Sequence, residues 1–120
     1  MKILVVDDSS LARKILIKEL KKIEPSAQIL EAENGAIAVE MFKNEKPAAV
    51  FLDLTMPVMD GYEALEHIMS LDPYAQVIIV SADIQPEARK KVLQIGAKNM
   101  CPKPINSEKM ESIFMHDLII

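Results

Sequence analysis

The chain alternates short, unbroken apolar runs with longer stretches of helical periodicity. Residues 3–6, 49–52 and 77–80 are apolar at every position. A strand with one wet face alternates apolar and polar residues, so runs like these predict strands covered on both faces. Ser9 and Ser10 are N-cap candidates for a first helix, with Leu11, Ile15, Leu16, Leu20 and Ile23 on its apolar face and Pro25 closing it. Residues 28–32 predict a second strand. Asn34-Gly35 turns into a helix with Ile37, Met41 and Phe42 on one side, ending at Pro47. The loop 53–61 contains Pro57 and opens a helix with Leu65, Ile68 and Met69 facing inward. Residues 87–95 align Ala88, Val92 and Ile95, and Gly96 supplies the stop. Residues 99–102 predict a fifth strand, and Ser107 caps a last helix bearing Met110, Ile113 and Phe114.

Five strand-then-helix units imply right-handed crossovers and a parallel sheet with helices on both faces. The expected fold is a doubly wound, flavodoxin-like α/β sheet of five strands in the order 2-1-3-4-5, forming one domain over residues 1–120. Pro102 has no N–H for a ladder, which places strand five at an edge. The chain has 120 residues, half of them hydrophobic, enough to fold without a disulfide or metal staple. Its 14 basic and 18 acidic residues give a net charge of -4, which argues against broad nucleic-acid binding. Cys101 is the single cysteine and fits a reducing compartment. The apolar run at residues 3–6 is too short for a signal peptide, and no stretch is long enough for a membrane span. A cytoplasmic domain is expected. The apolar end Leu118-Ile119-Ile120 points to a fragment of a longer chain or to an end that buries itself.

In doubly wound sheets, ligands bind outside the carboxyl ends of the strands. Strand one ends in Asp7-Asp8, strand three in Asp53 and strand four in Ser81, while strand five runs into Lys103. These strands are neighbours in the expected order, so three carboxylates, a hydroxyl and an ammonium converge. Singly, each has a plain structural reading: an Asp or Ser after a strand often caps the next helix, and a lone lysine is usually a solvated charge. Together, clustered carboxylates repel and need positive charge to stay ionised. Lys103 supplies one charge; a hard divalent cation with oxygen ligands, such as Mg²⁺, would supply the rest. Asp53 has no capping duty, since its helix starts several residues later. Such a carboxylate can act as a nucleophile and form an aspartyl-phosphate, with the cation, Lys103 and Ser81 around the phosphoryl oxygens.

The motifs Val5-Val6-Asp7-Asp8, Asp53-Leu54-Thr55-Met56-Pro57-Val58-Met59-Asp60-Gly61, Ser81-Ala82 and Lys103-Pro104 occur in order and cover the whole chain. In this it closely resembles the receiver domain of two-component response regulators, above all the stand-alone chemotaxis type. The resemblance implies that Asp53 is the phosphoacceptor. It implies that Asp8, Asp53 and the carbonyl of Thr55 bind Mg²⁺ directly, with Asp7 acting through water. Ser81 would be the switch hydroxyl, and Lys103 would pair with the phosphoryl group through a cis Lys103-Pro104 peptide. Thr55 and Asp83 would flank the phosphoryl group and govern water access. The donor would be a histidine kinase or phosphotransfer protein, and the last two strand–helix units would meet a protein output partner, with no direct nucleic-acid contact and no membrane insertion. The family's usual aromatic residue before the lysine is Met100 here, and the usual Phe after Lys-Pro is Ile105. Both departures fall on the expected output side.

Three other functions were open to such a fold. A phosphohydrolase with Asp53 as nucleophile would need a general acid and a substrate-covering cap, for which 120 residues leave no room. A flavodoxin-like electron carrier would need a phosphate-cradling loop where Asp7-Asp8 stands. A phosphorylation-independent binding module would not need Asp53, Ser81 and Lys103 together. His67 and His116 lack metal-ligand partners at usable spacing. Met41 and Met69 read as core, whereas Met100, Met110 and Met115 could form an adaptable surface, with core filling the plainer role for Met110. Arg89-Lys90-Lys91 reads as a solvated helix face.

Overall fold

Five parallel strands lie in the order β2-β1-β3-β4-β5. The computed structural model describes residues 1–120. In chain order the elements are β1 (Lys2–Val6), α1 (Ser10–Ile23), β2 (Gln28–Ala32), α2 (Gly35–Glu45), β3 (Ala49–Leu52), α3 (Gly61–Leu71), β4 (Val77–Ser81), α4 (Pro86–Ile95), β5 (Asn99–Pro102) and α5 (Ser107–Ser112). A π-helical turn, Ile113–Asp117, continues α5.

The two-residue period of the strands sorts the core into two halves. Leu4, Val6, Val50, Leu52, Val77 and Ile79 point to α2, α3 and α4. Ile3, Val5, Phe51, Ile78, Val80 and Cys101 point to α1 and α5. All of β3 and β4 is buried, which is why those runs carry no polar residue until the last position of β4. Pro102 is exposed at the edge strand, as its missing donor requires.

Several helix faces differ from the sequence pattern. Leu11 and Ile15 are 67% and 43% exposed. At about 3.6 residues per turn they form their own stripe, turned well away from the line through Leu16 and Leu20 that packs on the sheet. On α2, Ala38, Val39 and Phe42 are buried while Ile37 is exposed and Met41 half-buried; small residues let this helix sit close to the sheet. Asn106, not Ser107, caps α5, its side chain accepting the Lys109 N–H at 2.7 Å. Ser107 instead donates its hydroxyl to Glu19 of α1. α4 begins one residue before the expected start, with Pro86 at its first turn and no side-chain cap.

Leu118 is buried, but Ile119 is exposed. Gln76 brackets the Ile119 peptide, accepting its N–H at 2.6 Å and donating to its carbonyl at 2.9 Å. No helix is long and apolar enough to cross a membrane.

Candidate functional site

The carboxyl edge of the sheet gathers the polar strand ends. Asp7 follows β1 and donates its N–H to the Ala32 carbonyl. Its carboxylate accepts the Ser9 N–H at 2.9 Å. Asp53 follows β3 and donates its N–H to Val6. Both side chains are buried, whereas Asp8 is exposed. Carboxylate oxygens of Asp7, Asp8 and Asp53 lie within 4.8 Å of one another. Lys103 reaches back from the end of β5, its Nζ 2.6 Å from Asp7 and 3.2 Å from Asp53. The Lys103-Pro104 peptide is cis. None of these residues is a helix cap: Ser9 caps α1 and Asp60 caps α3.

Ser81 is buried at the end of β4, and its hydroxyl accepts the Asp83 N–H at 3.0 Å. Its carbonyl accepts the Lys103 N–H, tying the ends of β4 and β5 together. Thr55 and Asp83 are exposed in the loops beyond Asp53 and Ser81. Thus Asp7, Asp8, Asp53 and Lys103 meet directly, while Ser81, Thr55 and Asp83 stand on the flanking segments.

Burial, then the neighbouring Asp7 charge, pushes the Asp53 carboxyl above its ordinary range, and Lys103 only partly opposes this. Burial alone would lower Lys103, but its hydrogen bond to Asp7 and the charges of Asp53 and Asp7 outweigh it and raise the ammonium. With all three carboxylates ionised, the cluster carries more negative charge than its one lysine balances. Three hard oxygen donors at close range with surplus negative charge suit a small divalent cation of the Mg²⁺ type.

The loop carrying Thr55 is held from behind. Val58 has φ 70° and centres a three-residue turn in which the Met59 N–H reaches the Pro57 carbonyl at 2.8 Å. Gly35 donates its N–H to Met59, and Gly61 donates to Leu54. A Cβ on Gly61 would overlap the Asp53 carbonyl oxygen, and one on Gly35 would overlap that of Met59. Both glycines are required by close backbone approach, a role the sequence pattern did not reveal. Arg13 was also missed: it donates Nη1 to the Asp7 carbonyl at 2.5 Å and Nε to Glu31 at 2.9 Å. Its place one turn after the Ser9 cap, facing the end of β1, was the available signal.

Met110 is fully buried, the plainer of its two expected roles, and Met115 is exposed, whereas Met100 is buried in the core beside α4 and offers no surface. The burial of Met100 and Met110 follows from the inward alternation of β5 and the inner stripe of α5. Arg89 is engaged as well, donating to Asn99 and to the Met100 carbonyl, both at 3.0 Å. Lys91 sits 4.2 Å from the ring centre of Tyr62 on α3. Ile105 is buried, while His67 and His116 are exposed and remote from the acidic cluster.

A five-stranded doubly wound sheet whose carboxyl edge sets a buried, lysine-paired aspartate among further carboxylates defines a class of signalling domain built to accept a phosphoryl group. Residues 3–114 match the family model of the response regulator receiver domain. Over 110 residues the chain is 41% identical to the chemotaxis protein CheY of Listeria monocytogenes, covering 92% of each protein. It is 39% identical to a protein-glutamate methylesterase/protein-glutamine glutaminase of Pyrococcus horikoshii, but spans only 33% of that longer protein. Among solved structures, CheY in the CheX–CheY–BeF3–Mg²⁺ complex from Borrelia burgdorferi superposes with a TM-score of 0.88 at 35% identity, covering 96% of this chain and 87% of that one. The chain belongs to the response regulator receiver family and is a CheY-like, phosphorylation-activated switch.

Proposed function

We propose that Asp53 is the residue phosphorylated, by a histidine kinase or phosphotransfer protein, and that the resulting aspartyl-phosphate changes the surface offered to a protein output partner. The observation that carries this reading is the setting of Asp53: buried, central, 3.2 Å from the Lys103 ammonium and within a cluster of carboxylate oxygens. An Asp53 oxygen attacks the phosphorus of the donor's phosphohistidine; the P–O bond forms as the P–N bond breaks, and the departing imidazole takes up a proton. Lys103 holds one phosphoryl oxygen, and the Ser81 hydroxyl donates to another. Asp8, Asp53 and the Thr55 carbonyl would hold Mg²⁺, with Asp7 acting through water. When bound, the ion offsets charge on the phosphoryl oxygens.

The domain occupies residues 1–120 and works in the cytoplasm, where its donors present their phosphohistidine. It turns over no external substrate; its chemistry is its own phosphorylation and slow self-dephosphorylation. The CheY relatives support a place in chemotaxis-type signalling. The output surface comprises the last two strand–helix units, with exposed Met115 and neighbouring lysines.

Acetyl phosphate with Mg²⁺ should add one acid-stable, base-labile phosphoryl group by intact mass, and Asp53→Asn should abolish it. Undiminished labelling of that variant would place the acceptor elsewhere.

A further inference from the structure

Asp8 is the exposed member of the acidic cluster, and no hydrogen bond or ion pair within the chain holds its carboxylate. Its direction is therefore set by the backbone that carries it. Asp7, by contrast, is pinned at its N–H by Ala32 and at its carboxylate by the Ser9 N–H and Lys103. The remaining polar group of Asp7, its carbonyl, belongs to the peptide unit that leads into Asp8. That oxygen accepts from Arg13 Nη1 at 2.5 Å. The Arg13 side chain is only 15% exposed, and Glu31 on β2 braces it through Nε at 2.9 Å. Carbonyl oxygen, following nitrogen and following Cα share one plane. A guanidinium fixed at both ends therefore fixes the plane from which Asp8 projects.

We infer that Arg13, braced by Glu31, is a positioning residue that aims the Asp8 carboxylate into the acidic cluster. The inference rests on the proposed role of that cluster in holding a divalent cation. A bulk-charge role for Arg13 predicts the opposite sign. Removing a nearby positive charge strengthens attraction for a cation, whereas releasing the Asp7–Asp8 peptide weakens binding by leaving Asp8 unaimed.

The test is Mg²⁺ titration of the full chain, followed by backbone amide NMR. Arg13→Gln should weaken Mg²⁺ binding severalfold. Lys14→Gln, which removes the same charge from an exposed neighbouring position on α1, should leave it unchanged or slightly tighter. Arg13→Lys keeps the charge and one donor but loses the two-point fork, so it should fall between Arg13→Gln and the parent. Without Mg²⁺, the Ser9 amide, which donates to the Asp7 carboxylate, should exchange faster in Arg13→Gln while the strand amides stay protected. Unchanged or tighter Mg²⁺ binding by Arg13→Gln, or equal losses in Arg13→Gln and Lys14→Gln, would overturn the inference. Failure of the parent itself to bind Mg²⁺ would overturn the cation-binding role of the cluster instead.

Discussion

Lys103 lies closer to Asp7 than to Asp53, at 2.6 Å against 3.2 Å. Its ammonium is thus directed chiefly at the carboxylate beside Asp53. Replacing Lys103 by Ala leaves two buried carboxylates facing each other. Breaking a fully buried pair costs ~3–5 kcal/mol. Because Lys103 is 26% exposed, Lys103→Ala should cost less, about 1–3 kcal/mol in urea unfolding. Mg²⁺ should recover much of that loss by replacing the missing positive charge. An equal deficit with and without Mg²⁺ would show that packing, not charge, sets the cost.

The raised Asp53 carboxyl gives a pH signature. Its proton is held more tightly in the folded state than in the unfolded one. Stability therefore falls as pH rises from the ordinary carboxylate value, 3.8, through the raised folded value. Asp53→Asn cannot ionise and lacks this loss. Without metal, it should match the parent in acid and unfold at higher temperature near neutrality. A parent and variant whose melting temperatures run parallel across this range would contradict the sign. Lys103 acts at the other end: its contribution is fully present below its unfolded value of about 10.5 and is lost as pH rises through the raised folded value.

Asp83 accepts the Gln85 N–H at 3.1 Å while its own N–H bonds Ser81. It therefore shapes the loop between β4 and α4 as well as standing near the strand edge. Asp83→Ala should lengthen the phosphoryl lifetime severalfold if its carboxylate orients the hydrolytic water. Asp83→Asn keeps an acceptor for Gln85, so a lifetime close to that of the Ala variant would assign the effect to the carboxylate charge. A decay rate unchanged in both, followed by mass spectrometry, would leave Asp83 only its turn.

Met100 occupies the position where the family usually has an aromatic ring, and it is buried against α4. Methionine has no large ring to move between buried and exposed positions, so the switch should be shallow, with the active arrangement partly populated before phosphorylation. Arg89, bonded across to Asn99 and the Met100 carbonyl, holds α4 on β5. Arg89→Ala should raise the active population in the unphosphorylated protein. Beryllofluoride should move amide shifts around α4 and β5, and less so in Arg89→Ala, which starts closer to the end point. Changes confined to α1 and α2 would refute this output path, and Met100→Tyr should widen the gap between the two states.

Strand order and the convergence of Asp7, Asp8, Asp53 and Lys103 were legible because both follow from local rules. Apolar runs mark buried strands, and parallel topology brings their ends to one edge. Helix faces were less so: Leu11 and Ile15 obey helical spacing yet lie off the packing stripe, since periodicity does not say where the sheet stops. Met100 misled for a related reason, because side-chain adaptability says nothing about which way a strand residue points. Arg13 and Gly61 act on backbone atoms a few residues back in the chain; the place of Arg13 one turn after the Ser9 cap was its one signal, whereas no pattern of side-chain types encodes the close approach at Gly61.

The packing of Gly61 against the Asp53 carbonyl makes the site mechanically lopsided. On that side Asp53 has no slack, since the first residue of α3 is already packed on its carbonyl and bonded to Leu54. Whatever room a phosphoryl group needs must come from the opposite bank, where Ser81, the loop to α4 and the Lys103 segment are joined by single hydrogen bonds. With Asp53 braced beneath and the Ser81 and Lys103 segments more lightly tied above, phosphorylation should displace the structure toward α4 and β5 before any partner is present.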